Sequence, residues 1–259
     1  MGILNATPDS FYSKSRLNSE KEINAHINKM VLEGVDILDV GGYSTRPGAA
    51  EISEKEEIER VLPVIEVICS KYPEVIISID TFRSNVAKRA VEAGAHFIND
   101  VSGGSLDSNM FKIVAELQVP YVLMHMRGDP QTMTKKSNYA NVTKEVIIDL
   151  ALKINTIKEL GVKDIIVDPG FGFAKTTEQS FELLRNLDLF QSLGFPILAG
   201  LSRKSMIWKT LNITPEEALN GTVILNTLAL QKGAKILRVH DVKPAVEQRN
   251  LLIKNGLYY

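Results

Sequence analysis

Four stretches of the chain share one pattern: residues 33–40 read EGVDILDV, 93–100 AGAHFIND, 160–168 LGVKDIIVD and 232–239 KGAKILRV. Each carries Gly-Val or Gly-Ala, and a short apolar run follows at once. Glycine in that place suits a left-handed cap that closes a helix and turns the chain back towards a sheet. The stretches therefore read as helix ends feeding strands.

Working outward, eight apolar runs rich in Val and Ile predict strands over Met1–Asn5, Asp36–Gly42, Val75–Asp80, His96–Asp100, Tyr121–His125, Ile165–Gly170, Pro196–Ser202 and Ile236–Asp241. Continuous apolar runs, rather than strict alternation, indicate strands covered on both faces, as in parallel sheets. Helical signals lie between them. Ser19 with Glu22, and Ser53 with Glu56, have capping-box spacing ahead of apolar residues on one face. Thr214-Pro215-Glu216-Glu217 places a proline at a first helical position, and Pro63 is expected to kink its helix or shift its start.

Alternating strands and helices with eight strands favour a closed (β/α)8 TIM barrel over a doubly wound sheet. Such a barrel takes about 250 residues, so the 259 residues fit one domain, 1–259. Thirty basic against 31 acidic residues leave no general drive towards nucleic acid or an anionic membrane. No run approaches the roughly 20 apolar residues of a membrane span. The single Cys69 allows no internal disulfide. A soluble, cytoplasmic protein is expected.

Polar residues gather at the C-terminal ends of these runs: Asn5, Thr45 and Arg46, Asp80, Asn99, His125, Asp168, Ser202 with Arg203 and Lys204, then Arg238 and His240. In a β/α barrel that end is the mouth where active sites form. Asp80, Asn99 and Asp168 suit a flat ligand with several N–H donors and carbonyl acceptors, although Asp80 ahead of Thr81 also fits a helix cap. Arg203, Lys204, Arg238 and His240 form a cationic group that suits an anion, the alternative being surface ion pairs. Arg238 carries the stronger signal, since it sits inside the apolar ILRV run. Asn5 offers one oxygen to a Mg²⁺ ion, or else a turn ahead of Thr7-Pro8. Phe171 and Phe173, set between glycines, could cover an apolar ring.

The segments GILNATPDSF (2–11), DVGGYSTRPGA (39–49), SIDT (78–81), INDVSGG (98–104), VLMHMRG (122–128), VDPGFGF (167–173), GLSRKSMI (200–207) and ILRVHDV (236–242) together resemble the dihydropteroate synthases, in family order and nearly end to end. That resemblance implies condensation of a pterin diphosphate with p-aminobenzoate, with Mg²⁺, in a homodimer open to sulfonamide drugs. It implies that Asp80, Asn99, Met124, Asp168 and Lys204 hold the pterin. Asn5, Thr45, Arg46, Arg238 and His240 would hold the diphosphate, with Asn5 also towards the metal. Phe11, Thr45, Arg46, Pro47, Phe173, Lys204 and Ser205 would form the p-aminobenzoate pocket. Asp80, Asp168, Lys204, Arg238 and His240 would carry catalysis. Ser13, Tyr43 and Ala174 depart from the family pattern. A pterin-dependent methyltransferase and a pterin binder without catalysis are the competing readings.

Overall fold

The computed structural model describes residues 1–6, 16–44, 51–129, 132–133 and 136–257, and of residues 16–20 the backbone alone. Eight parallel strands run in sequence order: β1 (Gly2–Asn5), β2 (Ile37–Gly41), β3 (Ile76–Asp80), β4 (Phe97–Asp100), β5 (Tyr121–Met124), β6 (Ile165–Asp168), β7 (Ile197–Ala199) and β8 (Ala234–Leu237). The sheet closes on itself. Val239, just beyond β8, bridges Gly2, with Ile3 N–H donating to the Val239 carbonyl at 2.9 Å and Val239 N–H to that of Met1 at 2.9 Å. The expected TIM barrel is present.

Helices alternate with the strands: α1 (Arg16–Leu32), α2 (Glu54–Lys71), α3 (Ser84–Glu92), α4 (Met110–Leu117), α5 (Val142–Glu159), α6 (Thr177–Arg185), α7 (Ser205–Leu211), α8 (Leu219–Gln231) and α9 (Val242–Lys254), with a 3₁₀ turn at Leu187–Leu193 ahead of β7. The glycines of the four-fold pattern do what the sequence requires of them. Gly34, Gly94, Gly161 and Gly233 all have φ between +87° and +115°, the left-handed region in which a side chain is strained. Each ends a helical segment so that the next strand starts within four residues.

Several expectations about boundaries are corrected. Helix α1 already runs at Arg16, upstream of Ser19, so Ser19 and Glu22 lie inside it. Ser53 does cap α2, accepting from Glu56 N–H at 3.1 Å, but the Glu56 side chain pairs with Arg60 instead of turning back. Helix α2 continues unbroken past Pro63. No helix starts at Pro215: Thr214–Ala218 is a turn, with Thr214 N–H held by Glu217 Oε2 at 2.9 Å, and α8 begins at Leu219. The reciprocal capping box stands at Thr176 and Gln179. Strand β8 starts two residues early, directly after Gly233, and ends before Arg238, because His240 and Asp241 already turn into α9.

Two apolar layers result. The larger lies between barrel and helices and includes Leu4, Leu38, Val40, Ile77, Ile79, Ile98, Leu123 and Val167. The smaller fills the lower barrel interior: Met1, Phe97, Val122 and Leu198, with Ile37, Ile166 and Ile236 against them. Successive side chains on a strand point to opposite faces. Advancing two residues from the lower layer therefore leads, on the same inner face, to Asp39, Asn99, Met124, Asp168, Gly200 and Arg238. Among the described residues no helix is long and apolar enough to cross a membrane.

Candidate active site

Strand register assembles the mouth of the barrel. Asp80 pairs directly with Gly41 on β2 and with Asn99 on β4, and Met124 on β5 pairs with Asp168 on β6. Gly41 lies directly against its neighbour: a Cβ there would be in ordinary contact with the Asp80 side chain, at 3.5–3.8 Å. Gly200 lies between two cations: a Cβ there would be 3.9 Å from both Arg238 Cβ and Lys204 Nζ.

Arg238 is the centre of the charged layer. Its Nε donates to Asp39 Oδ2 at 2.6 Å and its Nη2 to Asp80 Oδ2 at 2.5 Å. Asp39 Oδ2 also accepts from Asn99 Nδ2 at 3.0 Å, while Asp39 Oδ1 is buried with no protein partner. Burial works against the Arg238 charge, but Asp39 and Asp80 outweigh it and hold the guanidinium above its ordinary range. Asp80 is pushed up to about 7, chiefly by burial, with Arg238 opposing.

Opposite this network sits a second pair of charges. Asp168 is 6 % exposed, and its Oδ1 accepts from Gly170 N–H at 2.7 Å. Burial raises its pKa and Lys204 counters it. Lys204, at the N-terminal edge of α7, donates to the Phe171 carbonyl and lies 4.7 Å from the centroid of the Phe173 ring. Burial lowers the Lys204 amine to about 8, and Asp168 works in the other direction. An apolar wall adjoins both: Met124, Met126, Met133, Val101 and Ala174, with Phe82 and Phe173 packed on it.

The remaining candidates fall into three groups. Asn5 and His240 are exposed at the rim, the His240 ring standing 3.0 Å from Ser202 Oγ through Nδ1. Ser205 is half-buried as the first residue of α7. Phe11, Thr45, Arg46 and Pro47 lie outside the described residues, as does Ser13. Arg203 corrects the expected cationic group. Its backbone is left-handed (φ 54°), and its fork is closed on Asp241 at 2.9 and 2.8 Å, so it braces α9 instead of joining Lys204.

Sequence reasoning passed over Asp39, although the signal was there. It is a carboxylate inside an apolar ILDV run, the same anomaly that marks Arg238 in ILRV. The charge set as built can bind a polar planar ring through Asp80, Asn99 and Asp168, with cations on two sides.

Comparison with known proteins matches this geometry. The model of the family described as pterin binding enzyme matches residues 1–240. The dihydropteroate synthase of Clostridium beijerinckii is 45 % identical over 93 % of this chain and 88 % of its own length. The Xanthomonas albilineans dihydropteroate synthase solved with 4-aminobenzoic acid superposes with a TM-score of 0.91 at 39 % identity, covering 99 % of this chain and 92 % of that one. The Yersinia pestis dihydropteroate synthase in a sulfonamide drug complex gives 0.91 at 37 % identity, covering 99 % and 93 %. Full-length agreement in sequence and fold, around a mouth built from the motif residues, leads to one conclusion: the chain belongs to the pterin-binding enzymes and, among them, to the dihydropteroate synthases.

Proposed function

We propose that the charged layer binds 6-hydroxymethyl-7,8-dihydropterin diphosphate and that p-aminobenzoate enters beside Phe173 and Lys204. The observation that carries this reading is Arg238 shared between two carboxylates, Asp39 and Asp80, one register step from Asn99. The N–H donors of the pterin face Asp80 and Asp168, its carbonyl faces Asn99 and Lys204, and Met124 packs on its plane. Asp39 keeps Arg238 Nε in place while the diphosphate competes with Asp80 for the rest of the planar fork. Asp80, relieved of Arg238, then serves the ring.

The methylene C–O bond breaks first, and its electron pair leaves with pyrophosphate. Arg238 and His240, with Asn5 at the rim and, as the family resemblance implies, Thr45 and Arg46, stabilise that departing charge. Asp80 and Asp168 stabilise the electron-poor pterin left behind. The arylamine nitrogen, beside Phe173, Ser205 and the stem of Lys204 and, as the resemblance implies, Phe11 and Pro47, bonds to the methylene carbon and passes its proton to the departing pyrophosphate or to water. Residue types at the mouth fit a Mg²⁺ ion brought in by the diphosphate. Asn5 presents an exposed amide at the end of β1, and no cluster of three or more His, Cys, Asp or Glu among the described residues offers a dedicated cage. Such an ion would add positive charge on the leaving oxygens.

The reading also takes 1–259 as one domain of a cytoplasmic homodimer. Exposed Leu211, Ile224 and Leu228 on α7 and α8 support a subunit contact there, and sedentation to a dimer mass in ultracentrifugation would bear it out. The test of the activity is pyrophosphate release with pterin diphosphate, p-aminobenzoate and Mg²⁺, each omitted in turn. Release that needs all three, with dihydropteroate as product, is expected. Pyrophosphate release indifferent to p-aminobenzoate would defeat the assignment.

A further inference from the structure

Lys175 is buried without a carboxylate on it, 9 % exposed at the end of the loop that follows β6. Its Nζ lies 2.9 Å from the Gly170 carbonyl, 2.9 Å from the Phe173 carbonyl and 3.0 Å from His125 Nδ1, with the His125 carbonyl further off at 3.4 Å and aside from the three nearer partners. Those three partners fit an amine in either protonation state. An ammonium donates to all three; a neutral amine donates to the carbonyls and accepts from the His125 ring. His125 is itself buried at the end of β5, and burial, then Lys175, lower its pKa to about 2, so the ring is neutral. One amine thus ties both ends of the 170–173 loop to the neighbouring strand.

The loop is pressed into place there. Gly170 has φ +71°, and a Cβ on it would lie 2.1 Å from the His125 carbonyl oxygen. Asp168, at the near end, is part of β6 and is held by its ladder to Met124. Phe173, at the far end, has no ladder. Its backbone is fixed by the Phe173 N–H bond to the Gly170 carbonyl at 3.1 Å and by Lys175.

We propose that Lys175 is a positioning residue for the second substrate: through the Gly170 and Phe173 carbonyls it holds the Phe173 ring against Lys204, and so acts on affinity for the arylamine far more than on the pterin, whose Asp168 keeps its own ladder to Met124. The inference rests on the reading that Phe173 walls the p-aminobenzoate pocket.

Steady-state kinetics with each substrate varied, on Lys175→Met, Phe173→Ala and the double variant, tests it together with calorimetric binding of pterin diphosphate. Lys175→Met should raise KM for p-aminobenzoate about tenfold or more, as a loosened positioning contact does, with Kd for pterin diphosphate within about twofold of the parent. The double variant should match Phe173→Ala alone, because both changes remove the same thing. Equal weakening of both substrates, or effects that multiply in the double variant, would overturn the proposal in favour of a merely structural lysine. An unchanged KM in Phe173→Ala would instead remove the pocket reading beneath it, and the proposed route with it. Should Lys175→Met fail to fold, Lys175→Gln keeps a polar side chain but is too short to span both the Gly170 and Phe173 carbonyls; a selective rise in the same KM supports the proposal, and a parental KM or equal weakening of both substrates overturns it.

Discussion

The lower and upper halves of the barrel interior are built on the same strand faces and have opposite chemistry. Below, Phe97, Val122, Leu198 and Ile236 make an apolar plug. Two residues further along the same strands stand Asn99, Met124, Gly200 and Arg238. Burial of the lower layer stabilises the fold at about 25 cal/mol per Å² of apolar surface. The upper layer works against that: burial raises the pKa of Asp80 and Asp168 and lowers that of Lys204, so each charge is held at a cost its partners only offset. A chain selected for stability alone has no reason to continue its strands into such a layer. On the proposed reading, the difference marks where folding ends and function begins.

The comparison is broken most severely at Arg238. Arg238→Leu leaves buried Asp39 and half-buried Asp80 without their cation, which costs about 3–5 kcal/mol of stability and should abolish turnover; urea unfolding and pyrophosphate release check the two parts. A variant that folds as stably as the parent and still turns over would remove Arg238 from the centre of the account. In the lower layer, fully buried Leu198 gives the opposite profile. Leu198→Ala should lose about 2–5 kcal/mol to the cavity it leaves, while kcat/KM at a temperature where it remains folded stays close to parental.

Lys204→Met sharpens the contrast, since it should destroy activity and yet strengthen the fold. The folded amine titrates at about 8 against an ordinary 10.5. Below pH 8 the ammonium is charged in both states and its burial penalty is complete. Between the two values only the unfolded chain holds the proton, so the parent gains stability as pH rises. The stability advantage of Lys204→Met should therefore be greatest below pH 8 and fade towards 10.5. An advantage that does not change with pH would show that Lys204 is not held as described.

Much of this arrangement was readable in the residues. Eight apolar runs and four helix-closing glycines suffice for the barrel, because strands buried on both faces and left-handed caps leave compositional traces. Strand-end polar residues located the mouth. What escaped depends on contacts that exist only once the barrel closes. Asp39 and Arg238 are 199 positions apart, and nothing in the DVGG motif itself announces its partner. Arg203 and Lys204 are adjacent and alike in charge, but the left-handed backbone at Arg203 sends them to different tasks. Lys175 is satisfied by backbone carbonyls and one ring nitrogen, and carbonyls have no residue type to read.

The most direct test of the upper layer as the pterin site is the smallest change in it, Asp168→Asn, followed by calorimetric titration with pterin diphosphate. The substitution removes a charge and keeps the shape, so the fold should hold. Loss of a hydrogen bond to a charged group, worth about 1.5–3 kcal/mol, should weaken binding by roughly ten- to a hundredfold. Unchanged affinity in a folded variant would contradict the account, and the charged layer would need another ligand.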